Sequence, residues 1–207
     1  MYRCEARNLS DFIRQLAVNY IARGYFFCVK GEIPEHKDPR KTDEKIIGQY
    51  GIAISKWTRA RQKKQGVAGV QYLRHGREFV IAATHGEHRF FEEEANIQDV
   101  RRVPLKVSMY SIGYNQSGTG GHVSVRIERE AFNALKARME TRALFDSAEE
   151  IEAELGFVEI APYAAIRSQT WNLLRAVNRR RELAGRERIS LPNSSWNQKL
   201  WDSEEIT

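Results

Sequence analysis

The stretch VAGVQYLRHGREFVIAAT, residues 67–84, decides the fold. Two runs rich in β-branched and aromatic residues, VAGVQYLR (67–74) and REFVIAAT (77–84), flank His75-Gly76, where a glycine free to take positive φ makes a tight hairpin turn. Antiparallel pairing follows. Upstream, YFFCVKGEI (25–33) is apolar, aromatic and stopped by Pro34, which predicts a third, buried strand carrying Cys28. Downstream, Val103, Leu105, Val107 and Met109 alternate with Lys106, Ser108 and Tyr110, and this predicts a long half-buried strand. Val123, Val125 and Ile127 against Ser124, Arg126 and Glu128 predict its partner, with NQSGTGG (115–121) as a flexible loop between them.

Helical spacing surrounds these strands. Phe12, Ile13, Leu16, Ala17, Tyr20 and Ile21 fall on one face of a helix that Ser10 could cap and Gly24 ends. A charged loop, EHKDPRKTDEK (35–45), runs into a short helix from about Thr42 to Tyr50, and Ser55 can cap KWTRARQKKQ, closed by Gly66. After the strands, Phe132, Leu135, Met139 and Leu144 stripe one helix. Ser147 with Glu150 forms a capping box for the next, ended by Gly156. The longest helix follows Pro162, with Ile166, Thr170, Leu173, Leu174 and Val177 as its apolar face and Gly185 past its end. The tail from Arg186, with Pro192, Ser194, Ser195, Trp196 and Trp201, has no period.

The expected fold class is α+β: a mainly antiparallel sheet of about five strands with flanking helices and a helical C-terminal part. The corresponding divisions are a sheet core over 1–128, a helical part over 129–188 packed on the same domain, and an irregular tail over 189–207. A chain of 207 residues allows one domain of ordinary to large size, or a domain with a helical appendage. No stretch approaches the roughly 18 apolar residues of a membrane span, and the opening MYRCEARNLSDFIRQ has acids where a signal peptide is apolar. A soluble cytoplasmic protein without a membrane partner is expected. Cys4 and Cys28 are the only cysteines, which excludes a disulfide scaffold and a thiolate metal cluster.

Charge points to a partner class. The chain has 33 Lys and Arg against 27 Asp and Glu, a net charge of +6 and a pI near 9.4. Residues 162–188 hold seven arginines against Glu182 and Glu187, an excess of five cations, whereas 147–160 hold five glutamates and no base. On the last helix Arg167, Trp171, Arg175 and Arg179, spaced by four, form a stripe beside Arg180 that could grip phosphates and offer an indole to a base. Lys56, Arg59, Arg61, Lys63 and Lys64 beside Trp57 repeat that chemistry without a counter-charge. A solvated cationic face is the bland alternative for either helix. For Trp57 core attachment is expected, and for Trp171 exposure. Together the two helices favour DNA or RNA as partner.

Candidate chemistry is thinner. His85 and His88 bracket Gly86-Glu87, with Glu92, Glu93 and Glu94 close behind, so a metal held by His85, His88 and Glu92 is a candidate set. There is no G-x-S-x-G elbow, and Gly118 to Gly121 lacks the Lys-Ser/Thr of a P-loop. No cofactor is expected. The order GYFFCVKGEI, KWTRARQ, VQYLRHGREFVIAATHG, within residues 24–128, resembles the core of rolling-circle replication initiators and single-strand transposases. The resemblance implies a central strand whose His-hydrophobic-His pair holds a metal, and a helix tyrosine that attacks DNA. Here REFVIAATHG carries His85 alone, and Tyr163, with Gln169 below it, stands where the nucleophile would be.

Three functions remain. A non-catalytic nucleic-acid-binding protein leads, as an accessory subunit of a mobile element, a defence system or a ribonucleoprotein particle. The alternatives are a metal-dependent nuclease or strand transferase using Tyr163, His85 and His88, and a protein-assembly subunit in which the acidic 149–154 and basic 167–181 segments meet those of another copy. No RNP1, GXXG, zinc-finger or helix-turn-helix pattern distinguishes DNA from RNA.

Overall fold

The structure is a computed structural model that describes residues 2–118, 120–157 and 163–189. Pro162, expected in the first turn of the longest helix, and the tail from Pro192 to Trp201 lie outside the described residues. The fold is α+β, in two compact units, Met1–Ser124 and Val125–Thr207. The division falls within a strand, a few residues before the 128/129 boundary read from the sequence. Among the described residues no helix is long and apolar enough to cross a membrane.

In the first unit, α1 (Leu9–Arg14) is capped by Asn8, whose side chain accepts from Asp11 N, and not by Ser10. Asp11 explains the difference, since Arg7 N, Arg14 and Gln15 all donate to its carboxylate and hold the first turn two residues earlier. The helix loosens into a π turn over Gln15–Tyr20, tightens over Ile21–Arg23 and ends at Gly24, φ 92°. β1 (Phe27–Glu32) follows, then α2 (Pro39–Gln49), which begins before Thr42 because Asp38 caps it and Pro39 suits its first position. After α3 (Lys56–Lys64), β2 (Val70–His75) and β3 (Glu78–Ala83) form the expected hairpin, with Gly76 at φ 60°. A single turn, α4 (Phe90–Glu93), and β4 (Gln98–Asp99) complete a four-stranded sheet in the order β2-β3-β1-β4, in which Phe27 faces Ala83 and Val70 faces the same Ala83 from the other side.

Residues 70–74 of β2 are all buried, which explains an apolar run that does not alternate: both faces are covered. Val70, Tyr72, Ile81 and Ala83 pack with Ile46, Tyr50, Ile52 and Phe90. Leu73, Val80 and Ala82, equally buried, face away from that cluster, and α1 lies against β2. Two polar details tie the unit together. Asp43 and Arg74, 6% and 3% exposed, form a buried ion pair, with Arg74 Nε 2.9 Å from Oδ1 and Nη2 2.9 Å from Oδ2. The Tyr72 phenol donates to the same carboxylate at 2.6 Å, and burial with that bond pushes its pKa well up. The Tyr2 phenol meanwhile donates to Tyr72 O (2.7 Å) and accepts from Tyr72 N (3.0 Å), while Arg74 N and O bond Cys4 O and Ala6 N.

The sequence reading of one long strand from Val103 is corrected. β5 (Leu105–Val107) stops at Ser108, φ 48°, whose N–H and hydroxyl both donate to the Glu78 carboxylate (3.0 and 2.6 Å). β6 (Tyr110–Ser117) returns antiparallel to it, Leu105 facing Ile112, and β7 (Gly120–Ile127) is the third strand in the order β5-β6-β7. Most of 115–121 is therefore strand, not loop. Among the described residues seven strands form two antiparallel sheets, where the sequence reading predicts about five in one.

In the second unit, α5 (Arg129–Arg142), α6 (Ala148–Phe157) and α7 (Ala164–Leu183) bury Met139, Ala143, Ile151, Leu155, Leu173, Leu174 and Val177 in one cluster. The capping box is present: Ser147 N donates to Glu150 (2.9 Å) and Glu150 N to Ser147 Oγ (3.2 Å). α6 runs through Gly156 and does not end at it. Glu154 pairs with Arg138 and Arg142 of α5, so part of the acidic segment is neutralised within its own unit.

Candidate functional site

α3 is assembled from its cap outward. Ser55 Oγ accepts from Thr58 N at 3.1 Å and starts the helix, and Gly66, φ 80°, releases the chain after it. The exit is fixed by backbone: Val67 N bonds Gln62 O, Ala68 N bonds Glu87 O and Glu87 N bonds Gly66 O. Gly86, φ 142°, sits so close that a Cβ there would lie 2.5 Å from Gly66 O. The helix is thus held by its ends.

No residue of α3 is buried. Trp57 is 84% exposed, so the expectation that it attaches the helix to the core is overturned. Thr58, Arg59 and Gln62, all partly buried, take the inner side instead, and Arg59 reaches Ile52 O and Ile54 O at 3.4 Å. At 100° per residue Trp57, Arg61 and Lys64 share the outward side, at i, i+4 and i+7. Among the described residues none of the five cations of α3 is in an ion pair. Three of them, Arg61, Lys63 and Lys64, occupy the last turn, where the helix dipole favours positive charge.

The third side of α3 borders a pocket of about 240 Å³. Lys56, Arg59 and Lys63 line it from the helix, and Arg23 faces them from the end of the first helical segment. Tyr25, 9% exposed, contributes its ring, with Ala60, Gly69 and Thr84 completing the wall. Thr84 Oγ1 is held by Gly69 N at 2.9 Å, and a Cβ at Gly69 would come within 3.2 Å of the Tyr25 phenol oxygen. Four cations and no carboxylate line this recess. Arg23, Tyr25 and Thr84 were not among the residues singled out in the sequence, because only the fold brings them to α3.

In the second unit Arg167, Trp171, Arg175, Arg179 and Arg180 of α7 are exposed, Trp171 by 50%, as expected for that stripe. Arg175 donates to Asn172 Oδ1, one turn back on the same face. Arg179 and Arg180 border a pocket of about 240 Å³ with Glu140, Ala176 and Leu183. Arg181, in the same basic run, has a different role: only 3% exposed, it donates to Asp146 O (2.9 Å) and Glu187 O (2.6 Å) and ties the α5–α6 turn to the end of α7. Arg175→Ala with Arg179→Ala is expected to leave thermal stability within about 0.5 kcal/mol. Arg181→Ala, by stranding buried carbonyls, is expected to cost about 1–3 kcal/mol, read from denaturant midpoints.

The histidine loop does not gather a ligand set. Among the described residues no group of three His, Cys, Asp or Glu side chains is placed to hold a metal ion. His85 is exposed beside Phe27, and His88 Nδ1 accepts from Phe90 N (3.1 Å) while its ring lies against Tyr50. Burial lowers the His88 pKa. Glu92 is exposed on α4, and Glu93 is committed to Arg89 and Gln49. Tyr163 precedes α7 as its N-cap residue, in the second unit, whereas His85 and His88 are in the first. Both cysteines are free thiols, and burial pushes Cys4 up to about 11 and Cys28 up to about 12, which keeps them protonated and poor nucleophiles.

No family model, curated protein or solved structure matches the chain.

Proposed function

We propose that this protein binds nucleic acid, with α3 laid along the phosphate backbone and Trp57 stacked on a base. The observation that carries this reading is the surface of α3 itself. An indole left 84% exposed on a helix with five cations and no acid contributes nothing to packing, yet offers the two groups that single-strand binding combines. Lysine and arginine neutralise phosphates and release counterions, while an aromatic face accepts any base. The exposed stripe of α7 supports the same partner class from the second unit. An accessory role in a mobile element, a defence system or a ribonucleoprotein particle fits such a binder.

The test is a titration of a mixed-sequence single-stranded oligonucleotide followed by tryptophan emission. Quenching that is reduced in Trp57→Phe, measured in the Trp171→Phe background so that the second exposed indole does not report, is the expected result. Trp57→Ala should cost about 1–3 kcal/mol of affinity without lowering the unfolding temperature, because the side chain touches little of its own protein. Unchanged affinity in that variant would remove the stacking role.

A further inference from the structure

We infer that the pocket between α3 and Arg23 is a receptor for a phosphomonoester, the terminal phosphate of a nucleic-acid strand. The inference rests on the reading of α3 as a nucleic-acid surface. Its basis is the difference between this recess and the helix's outward side. Trp57, Arg61 and Lys64 form an open stripe past which a strand can run in both directions. Arg23, Lys56, Arg59 and Lys63 instead line one open recess of about 240 Å³, without a carboxylate to balance them.

Four cations around one recess suit a group of high local charge. An internal phosphodiester carries a single negative charge, whereas a monoester carries about −1.5 to −2 at neutral pH and presents three acceptor oxygens. The Arg23 guanidinium fork suits such oxygens, the two ammonium groups add point charge, and Arg59, which also donates to Ile52 O and Ile54 O, adds a third positive charge beside them. Size agrees as well. Small-molecule sites commonly span roughly 300–1,000 Å³, so this recess takes a phosphate with its adjoining sugar and little more. Thr84 and Tyr25 bring a hydroxyl and a ring edge to the wall, where the first sugar would rest. A chain that ends in the recess could then leave along Trp57.

The same chemistry could come from a free nucleotide, so the experiment separates the sources. One single-stranded oligonucleotide is prepared with a 5′-phosphate, with a 3′-phosphate and with hydroxyls at both ends. Each is titrated by fluorescence anisotropy, and a nucleoside 5′-monophosphate is used as competitor. One phosphorylated end should bind about tenfold more tightly than the hydroxyl-ended strand. Arg23→Ala with Lys63→Ala should abolish that ratio, while Arg61→Ala with Lys64→Ala should weaken all three strands alike and keep it. A monophosphate that binds as tightly as the phosphorylated strand, and does so through Arg23 and Lys63, supports a monoester site served by free nucleotide. Equal affinity for all three strands overturns the inference and leaves nucleic-acid binding intact. Binding of the monophosphate with no binding of any strand would overturn the nucleic-acid reading of α3 and, with it, the assignment of the recess to a strand end.

Discussion

Arg74→Met should lower the free energy of unfolding by about 3–5 kcal/mol, the cost of leaving a buried carboxylate without its cation. Arg74 is 3% exposed and gives Asp43 three N–H···O contacts, whereas the Tyr72 phenol that donates to the same carboxylate is neutral. Glu5, the other acidic partner at 3.2 Å, is 59% exposed and contributes little. Since a domain is stable by only about 5–15 kcal/mol, the loss is a large fraction of the whole. Denaturant midpoints would read it. The double variant Asp43→Leu with Arg74→Met should recover much of the loss, because a well-packed apolar pair replaces a buried ion pair at small cost. If Arg74→Met alone loses under 1 kcal/mol, water reaches Asp43 and the pair is not structural.

The second large effect is on binding. Replacing Lys56, Arg61, Lys63 and Lys64 together by Ala should reduce the log–log salt slope for a single strand by about three units, at roughly 0.7 per phosphate contact. Affinity near physiological salt should fall at least about thirtyfold, or 2 kcal/mol. Stability should change by about 1 kcal/mol or less. Mutual repulsion among the cations is relieved, and the favourable interaction of the last-turn cations with the helix dipole is lost. An unchanged slope would show that α3 does not meet the phosphates.

Local signals were legible wherever one residue's backbone need dictated the structure. Gly76 turned the hairpin, Ser55 and the Ser147–Glu150 pair began their helices, and the five positions from Ile166 to Val177 named the buried face of α7. The failures share a different cause. The alternation from Val103 to Met109 is the same whether the chain runs straight or doubles back at Ser108. What bends it is Glu78, thirty residues away. Core attachment of Trp57 follows from the rule that a cationic helix is anchored by its apolar residue, and here it fails, since Trp57 is 84% exposed. Backbone bonds of residues 66–68 to Glu87 do the anchoring instead. The site was legible only along α3 and α7, because Arg23 and Thr84 reach Lys63 through tertiary packing that no local spacing encodes.

The Tyr2 phenol also bears on how partners can approach. β2 is the outermost strand on its side of the four-stranded sheet, and such a margin normally offers unpaired amides to any extended peptide. Here the peptide groups of Tyr72 are spent on a side-chain hydroxyl, and those of Arg74 on Cys4 and Ala6. The opposite margin is β4, only two residues long. Strand addition, a common route by which sheets recruit peptides and by which they aggregate, is therefore blocked at one margin and too short to hold at the other. Recognition by this sheet must pass through side chains, and pairing of another strand with its β2 margin would first require peeling residues 2–6 away.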